Sequence, residues 1–147
     1  MSRIKLNEPE NTTGTHNEIF GQIKGAFGVV PNMFKTIGNS EAALDSMWTS
    51  FGALGKGRLG AKLGEQIAVY VADINRCQYC LSAHTVLGKN AGATEAEMAS
   101  AQAGESSDQR TQAALNFTKK IVIEKGSISK GDVEEVKAAG FDDGEVA

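Results

Sequence analysis

An all-α fold is what the sequence predicts, and three observations predict it. Apolar residues recur three and four positions apart along most of the 147 residues, glycine, serine and asparagine punctuate them, and no stretch alternates as a half-buried strand would. Only two prolines interrupt the pattern. A chain of this length can bury roughly two-thirds of the surface it exposes when unfolded. One domain over residues 1–147 therefore needs no disulfide staples to fold.

The first helix is expected over about His16 to Phe27, where Ile19, Phe20, Ile23 and Phe27 share a face and Gly28 ends it. Pro31 restarts the chain into a short helix with Met33, Phe34 and Ile37, stopped by Gly38. Ser40 is placed to cap a third helix through Ala43, with Leu44, Met47, Trp48 and Phe51 as its apolar stripe and Trp48 in the core. The stretch "GALGKGRLG" (Gly52 to Gly60) reads as a turn. It lacks the Gly-Lys-Ser/Thr ending of a phosphate loop and follows no strand.

A helix over Ala61 to Ile74 comes next, then a helix carrying both cysteines with a glycine stop at Gly88 to Gly92. A short helix near Thr94 to Ala101 and a long amphipathic one from about Ser107 to Lys125, closed by Gly126, complete the middle of the chain. Ser129 with Asp132 imitates a capping box for a helix ending at Gly140, and Asp142 with Glu145 repeats the signal at the end. That last signal has nothing to start, because nucleation costs more than one hydrogen bond returns. A frayed tail, or the lack of a further C-terminal helix, is expected.

Charge and apolar runs exclude whole classes of function. The longest apolar run, Ile67 to Ala72, is far short of the roughly 18 residues that cross a bilayer. Met1 to Gly14 is polar and has no apolar core of a secretory signal, so a cytoplasmic protein is expected. The formal charge of −3 argues against nucleic acid, and Lys119, Lys120 and Lys125 read as a solvated helix face. His16 has no partner in the sequence and reads as a surface histidine. Two cysteines are too few for a disulfide scaffold, and in a reducing compartment a close pair points to catalysis or metal binding.

Both cysteines lie in "EQIAVYVADINRCQYCLSAH", Glu65 to His84. Asn75 followed by Gln78 suggests a cap and a helix beginning at Arg76, which places Cys77 in the first turn, where backbone N–H groups and the helix dipole favour a thiolate. Cys80 and His84 fall three and seven residues later on the same face. His84 can take the Cys80 thiol proton, and the two sulfurs, one turn apart, can close a disulfide without rearranging the fold. Glu65 stands on a helix that is apolar nearly all round, so its carboxylate needs a partner. His84 is the obvious one, and Glu65 could orient the imidazole and shuttle protons.

Glu65, eleven intervening residues, Cys77-Gln78-Tyr79-Cys80 and then His84 resembles the motif of AhpD-like alkylhydroperoxidases in the carboxymuconolactone decarboxylase superfamily. "GVVPNMFKTIGNSEAAL" (Gly28 to Leu44), "AGATEAEM" and "GFDDGEVA" are similar to segments of its peroxidase-related branch, so the likeness covers most of the chain. The resemblance implies a bundle of about seven to eight helices with the Cys-x-x-Cys at the N-terminus of a central helix, assembled as trimers or hexamers. It implies a thiol-dependent peroxidase in antioxidant defence, with no cofactor. Cys80 would attack a hydroperoxide, Cys77 would resolve the sulfenic acid, Glu65 and His84 would move protons, and a dithiol reductant such as a lipoylated protein would restore the pair. Tyr79 stands where the founding peroxidases carry a second histidine.

The helix terminus favours a thiolate at Cys77 and the histidine favours one at Cys80. We side with Cys80, because a base backed by a carboxylate supplies a proton route, whereas Cys77 is better placed to meet a reductant. Other readings are a disulfide oxidoreductase or redox sensor without peroxide turnover, and a zinc site of Cys77, Cys80, His84 and Glu65. Structural zinc normally takes its ligands from two loops, and glutamate is an uncommon fourth ligand. A lactone decarboxylase is disfavoured by the cysteine pair.

Overall fold

The structure, a computed structural model, describes residues 3–147; Met1 and Ser2, where the polar opening and the single-domain span begin, lie outside the described residues. Among the described residues there are nine α-helices and no strand. The expected seven or eight helices are present, and a single closing turn joins them. The chain divides into two compact units, one running to Lys56 and the other from Gly57 to Ala147.

In the first unit a 3₁₀ turn at Pro9–Asn11 precedes α1 (Gly14–Phe27), α2 (Asn32–Ile37) and α3 (Glu41–Leu54). Gly28 closes α1 at φ 76°, in the left-handed region that glycine enters without steric cost. Ser40 caps α3 by accepting the Ala43 N–H at 3.3 Å, as its sequence position predicts. The core joins Ile19, Phe20 and Ile23 of α1 to Phe34 and Leu44, with Trp48 at its edge. Trp48 is half-buried rather than enclosed, because its indole N–H donates to Gln22 Oε1 at 2.7 Å and so stays near the surface. Gly38 permits this packing: a β-carbon there would lie 2.6 Å from Phe20 Cζ and 2.8 Å from the Phe34 carbonyl oxygen.

His16 is a correction to the sequence reading. Its side chain is only 16% exposed, stacks on Phe20 at 5.8 Å between ring centroids, and has Nδ1 3.8 Å from Glu41 Oε2. Its Nε2 is buried without a hydrogen-bond partner. Position near a chain terminus says little about burial when the residue opens a helix whose next turns, at Ile19 and Phe20, form the core.

In the second unit α4 (Ala61–Ile74) packs against α5 (Gln78–Asn90), α6 (Glu95–Gln102) and α7 (Gln109–Ile123), and α8 (Lys130–Ala138) returns onto α7. Val69 and Tyr70 of α4 meet Met98 and Ala101 of α6 and Leu115 of α7 in one cluster. Leu63, Ala114, Val136 and Phe141 form a second. Burying a side chain as completely as Val69 or Leu115 is worth about 1.5–3 kcal/mol, so α4 is the element the unit is built around. Polar ends are closed by side chains. Thr94 and Glu97 make a capping box on α6, Ser129 and Asp132 another on α8.

The last turn, expected to fray, forms α9 (Asp143–Val146). Local nucleation does not hold it; tertiary contacts do. Asp142 and Glu145 complete the capping box, Arg110 Nη2 donates to Glu145 Oε1 at 2.6 Å, Arg58 Nη2 donates to Asp142 Oδ1 at 2.7 Å, and Val146 packs on the Leu63 cluster. Arg110 also lies over the Phe141 ring, 3.9 Å from its centroid.

Candidate functional site

The cysteine pair sits at a tight reversal between α4 and α5. Asn75 closes α4 rather than capping α5, and Arg76 takes a left-handed backbone at φ 53°. The Arg76 N–H reaches the Asp73 carbonyl at 2.9 Å and the Cys77 N–H reaches the Ala72 carbonyl at 2.9 Å, the two bonds of a Schellman motif. This corrects the expected helix start at Arg76: a left-handed residue cannot open a helix, so α5 begins at Gln78 and Cys77 is its N-cap. Cys77 Sγ accepts the Cys80 N–H at 3.2 Å, doing with sulfur what a serine oxygen does elsewhere. The consequence drawn from the sequence, a sulfur at the positive end of the helix, is kept.

Cys77 and Cys80 form a disulfide with their α-carbons 5.3 Å apart. One turn beyond Cys80, His84 projects from α5 toward α4, where its Nδ1–H donates to Glu65 Oε2 at 2.7 Å. The two side chains are 30% and 23% exposed, sheltered but not sealed. That bond orients the imidazole and engages only one of its two ring nitrogens. With both sulfurs in the disulfide, no group of three or more His, Cys, Asp or Glu side chains among the described residues is arranged to hold a metal ion.

Cys80 and His84 share an open cleft of about 300 Å³ whose remaining wall is almost all α4: Gly64, Ile67, Ala68, Val71, Ala72 and Asn75. The near-uniform apolarity of α4 therefore has two uses. Leu63 and Val69 are buried away from the cleft, Ile67, Ala68 and Val71 are partly exposed and line it, and the buried Ala72 borders it. The expectation of a helix buried nearly all round holds for one face only. Cys77 is absent from the cleft wall, and Tyr79 points outward at 50% exposure.

Sequence reading missed the tightest contact beside the site. Gly88, taken for a stop, lies inside α5, which continues to Asn90. It is buried, and a β-carbon on it would meet Met98 at 2.4 Å and Glu65 Cβ at 3.3 Å. The available signal was its position, four residues after His84 and hence on the same face.

Comparison with known proteins agrees with this architecture. The carboxymuconolactone decarboxylase family model matches residues 42–120, more than half of the chain. A crystal structure of an uncharacterized peroxidase-related protein from Silicibacter sp. TM1040 superposes with a TM-score of 0.80 at 24% sequence identity, covering 97% of this chain and 75% of that one. No curated protein matches. The match over residues 42–120 makes this chain a member of the carboxymuconolactone decarboxylase family.

Proposed function

We propose that the protein is a thiol-dependent peroxidase that reduces hydroperoxides through the Cys77–Cys80 pair. The observation that carries this reading is the 2.7 Å bond from His84 Nδ1 to Glu65 Oε2, made by a histidine that shares its cleft with Cys80. A carboxylate-oriented imidazole beside a cysteine is a proton acceptor for the thiol.

In the reduced protein Nε2 of His84 takes the Cys80 proton. The thiolate attacks the nearer peroxide oxygen, the O–O bond breaks, and the proton passes from the imidazolium to the departing alkoxide, giving an alcohol and a Cys80 sulfenic acid. The Cys77 sulfur then attacks Cys80 Sγ and expels hydroxide, which leaves as water, to give the disulfide seen here. Two electrons and two protons from an external dithiol, for which a lipoylated protein is suitable, restore both thiols. A reducing compartment such as the cytoplasm and a trimeric or hexameric assembly fit this reading. Among the described residues no helix is long and apolar enough to cross a membrane.

The test is peroxide consumption with dihydrolipoamide, glutathione and thioredoxin offered in parallel. Sustained turnover with a dithiol is expected. Formation of the disulfide without turnover by any of them would overturn the peroxidase reading in favour of a redox switch.

A further inference from the structure

Gly88 of α5 lies against Glu65 of α4 and Met98 of α6. Its backbone is ordinary α-helix, so glycine is not there for conformational freedom, and inside a helix it is less favourable than alanine. The contact supplies the reason. A β-carbon at this position would lie 2.4 Å from both Cε and Sδ of Met98, where carbon atoms ordinarily rest about 3.5–4.0 Å apart. Met98 is 2% exposed within the cluster of Val69, Tyr70, Ala101 and Leu115, so its thioether end has no solvent to swing into. The second obstacle, Glu65 Cβ at 3.3 Å, is fixed to the α4 backbone.

Glu65 thus spans two successive turns of α5. Its β-carbon rests against Gly88, and its carboxylate accepts the hydrogen bond from His84. The groups that meet here are Glu65 from α4, His84 and Cys80 from α5, and the uncharged Met98 from α6. Relieving a methyl group against Met98 requires a displacement of about 1 Å. Met98 and Glu65 Cβ face the same point of α5, so backing α5 away from Met98 also draws it away from α4, and a shift of that size would stretch the 2.7 Å contact beyond hydrogen-bond range.

We infer that Gly88 is a positioning residue: by presenting no side chain, it lets α5 approach α4 closely enough for the Glu65 carboxylate to hold the His84 ring. Its consequence for turnover rests on the peroxidase reading, but the geometry itself can be measured without turnover.

The experiment is NMR on protein with ¹⁵N-labelled histidine, following solvent exchange of the His84 Nδ1–H proton. Wild type should give a protected signal that Glu65→Gln loses. Gly88→Ala should exchange about tenfold faster than wild type or more, as expected when a hydrogen bond to a charged group is lost. In case Gly88→Ala does not fold, Gly88→Ala/Met98→Ala is compared with Met98→Ala; the double variant keeps the tight contact with Glu65 Cβ, which must give by a few tenths of an ångström, and should again exchange faster, by a smaller factor. Equal exchange within either pair overturns the inference. If wild type consumes no peroxide yet Gly88→Ala still frees the Nδ1 proton, the functional reading fails and this one stands. If wild type is active, Gly88→Ala should lower kcat with little change in KM for peroxide.

Discussion

Each unit of this protein holds one histidine near one glutamate, and the two pairs are unlike. In the second unit His84 and Glu65 lie 2.7 Å apart on facing helices, with a cysteine in the same cleft. In the first, His16 and Glu41 are 3.8 Å apart, His16 Nε2 is walled in, and neither cysteine belongs to that unit. Composition does not distinguish them. What does is whether the second ring nitrogen can reach a proton to accept. Around His16 that nitrogen is an orphaned polar atom, a cost to stability; in the proposed reading of His84 it is the end that takes the thiol proton.

The largest expected effect separates the pairs outright. Replacing Cys80 with Ser should reduce peroxide consumption to the uncatalysed rate, whereas Cys77→Ser should allow a single sulfenic-acid event without turnover, detectable by dimedone labelling. Next in size, Glu65→Gln should slow alkylation of reduced Cys80 and peroxide turnover by roughly 10- to 100-fold. Glu41→Gln should change neither by more than about twofold. A comparable loss in both variants would erase the distinction between the pairs.

The third prediction concerns stability. Because His16 stacks on Phe20 and carries a buried nitrogen without a partner, His16→Phe should be neutral or stabilising by about 1 kcal/mol in urea denaturation, with peroxide turnover unchanged. Marked destabilisation would mean that the Glu41 contact outweighs the orphaned nitrogen.

The smallest effect lies away from both histidines. Glu97 is held near about 2, against 4.5 for an unperturbed glutamate, chiefly because Lys62 donates to it. Asp132 is held near about 2, against 3.8, chiefly by its hydrogen bond from Lys120. A carboxyl whose value is depressed on folding stabilises the fold fully above its unfolded value and loses that contribution as pH falls toward the folded one. Melting temperature should therefore decline between about pH 4.5 and 2. Asp132→Asn and Glu97→Gln should each make the decline shallower, an effect kept small by the solvent that still reaches these partly exposed pairs.

Much of this arrangement was legible in the sequence, for reasons that differ by residue. The bounds of α4 and the caps at Ser40 and Ser129 depend on neighbours in the chain, and local rules read them. The Glu65–His84 pairing was legible because a short reversal between two helices of known phase leaves few ways to face each other. The N-cap was misread because Asn75 and Gln78 imitate a capping box, while the left-handed Arg76 that defeats it carries no compositional mark. Gly88, His16 and α9 share another cause. Each is decided at least partly by residues distant in sequence: Met98 and Glu65 in the first case, Glu41 in the second, Arg58 and Arg110 in the third.

The reversal at Asn75–Cys77 has a bearing on how such a site can diversify. A residue added there would break the two hydrogen bonds that set α5 against α4, and with them the placement of His84 beside its carboxylate. Loop lengthening, the usual route to new specificities, is closed at this corner. If the hollow beside Cys80 is where a hydroperoxide binds, as proposed, variety in substrate would come instead from single exchanges at positions such as Ile67, Ala68 and Val71, which line it without disturbing the helices around it.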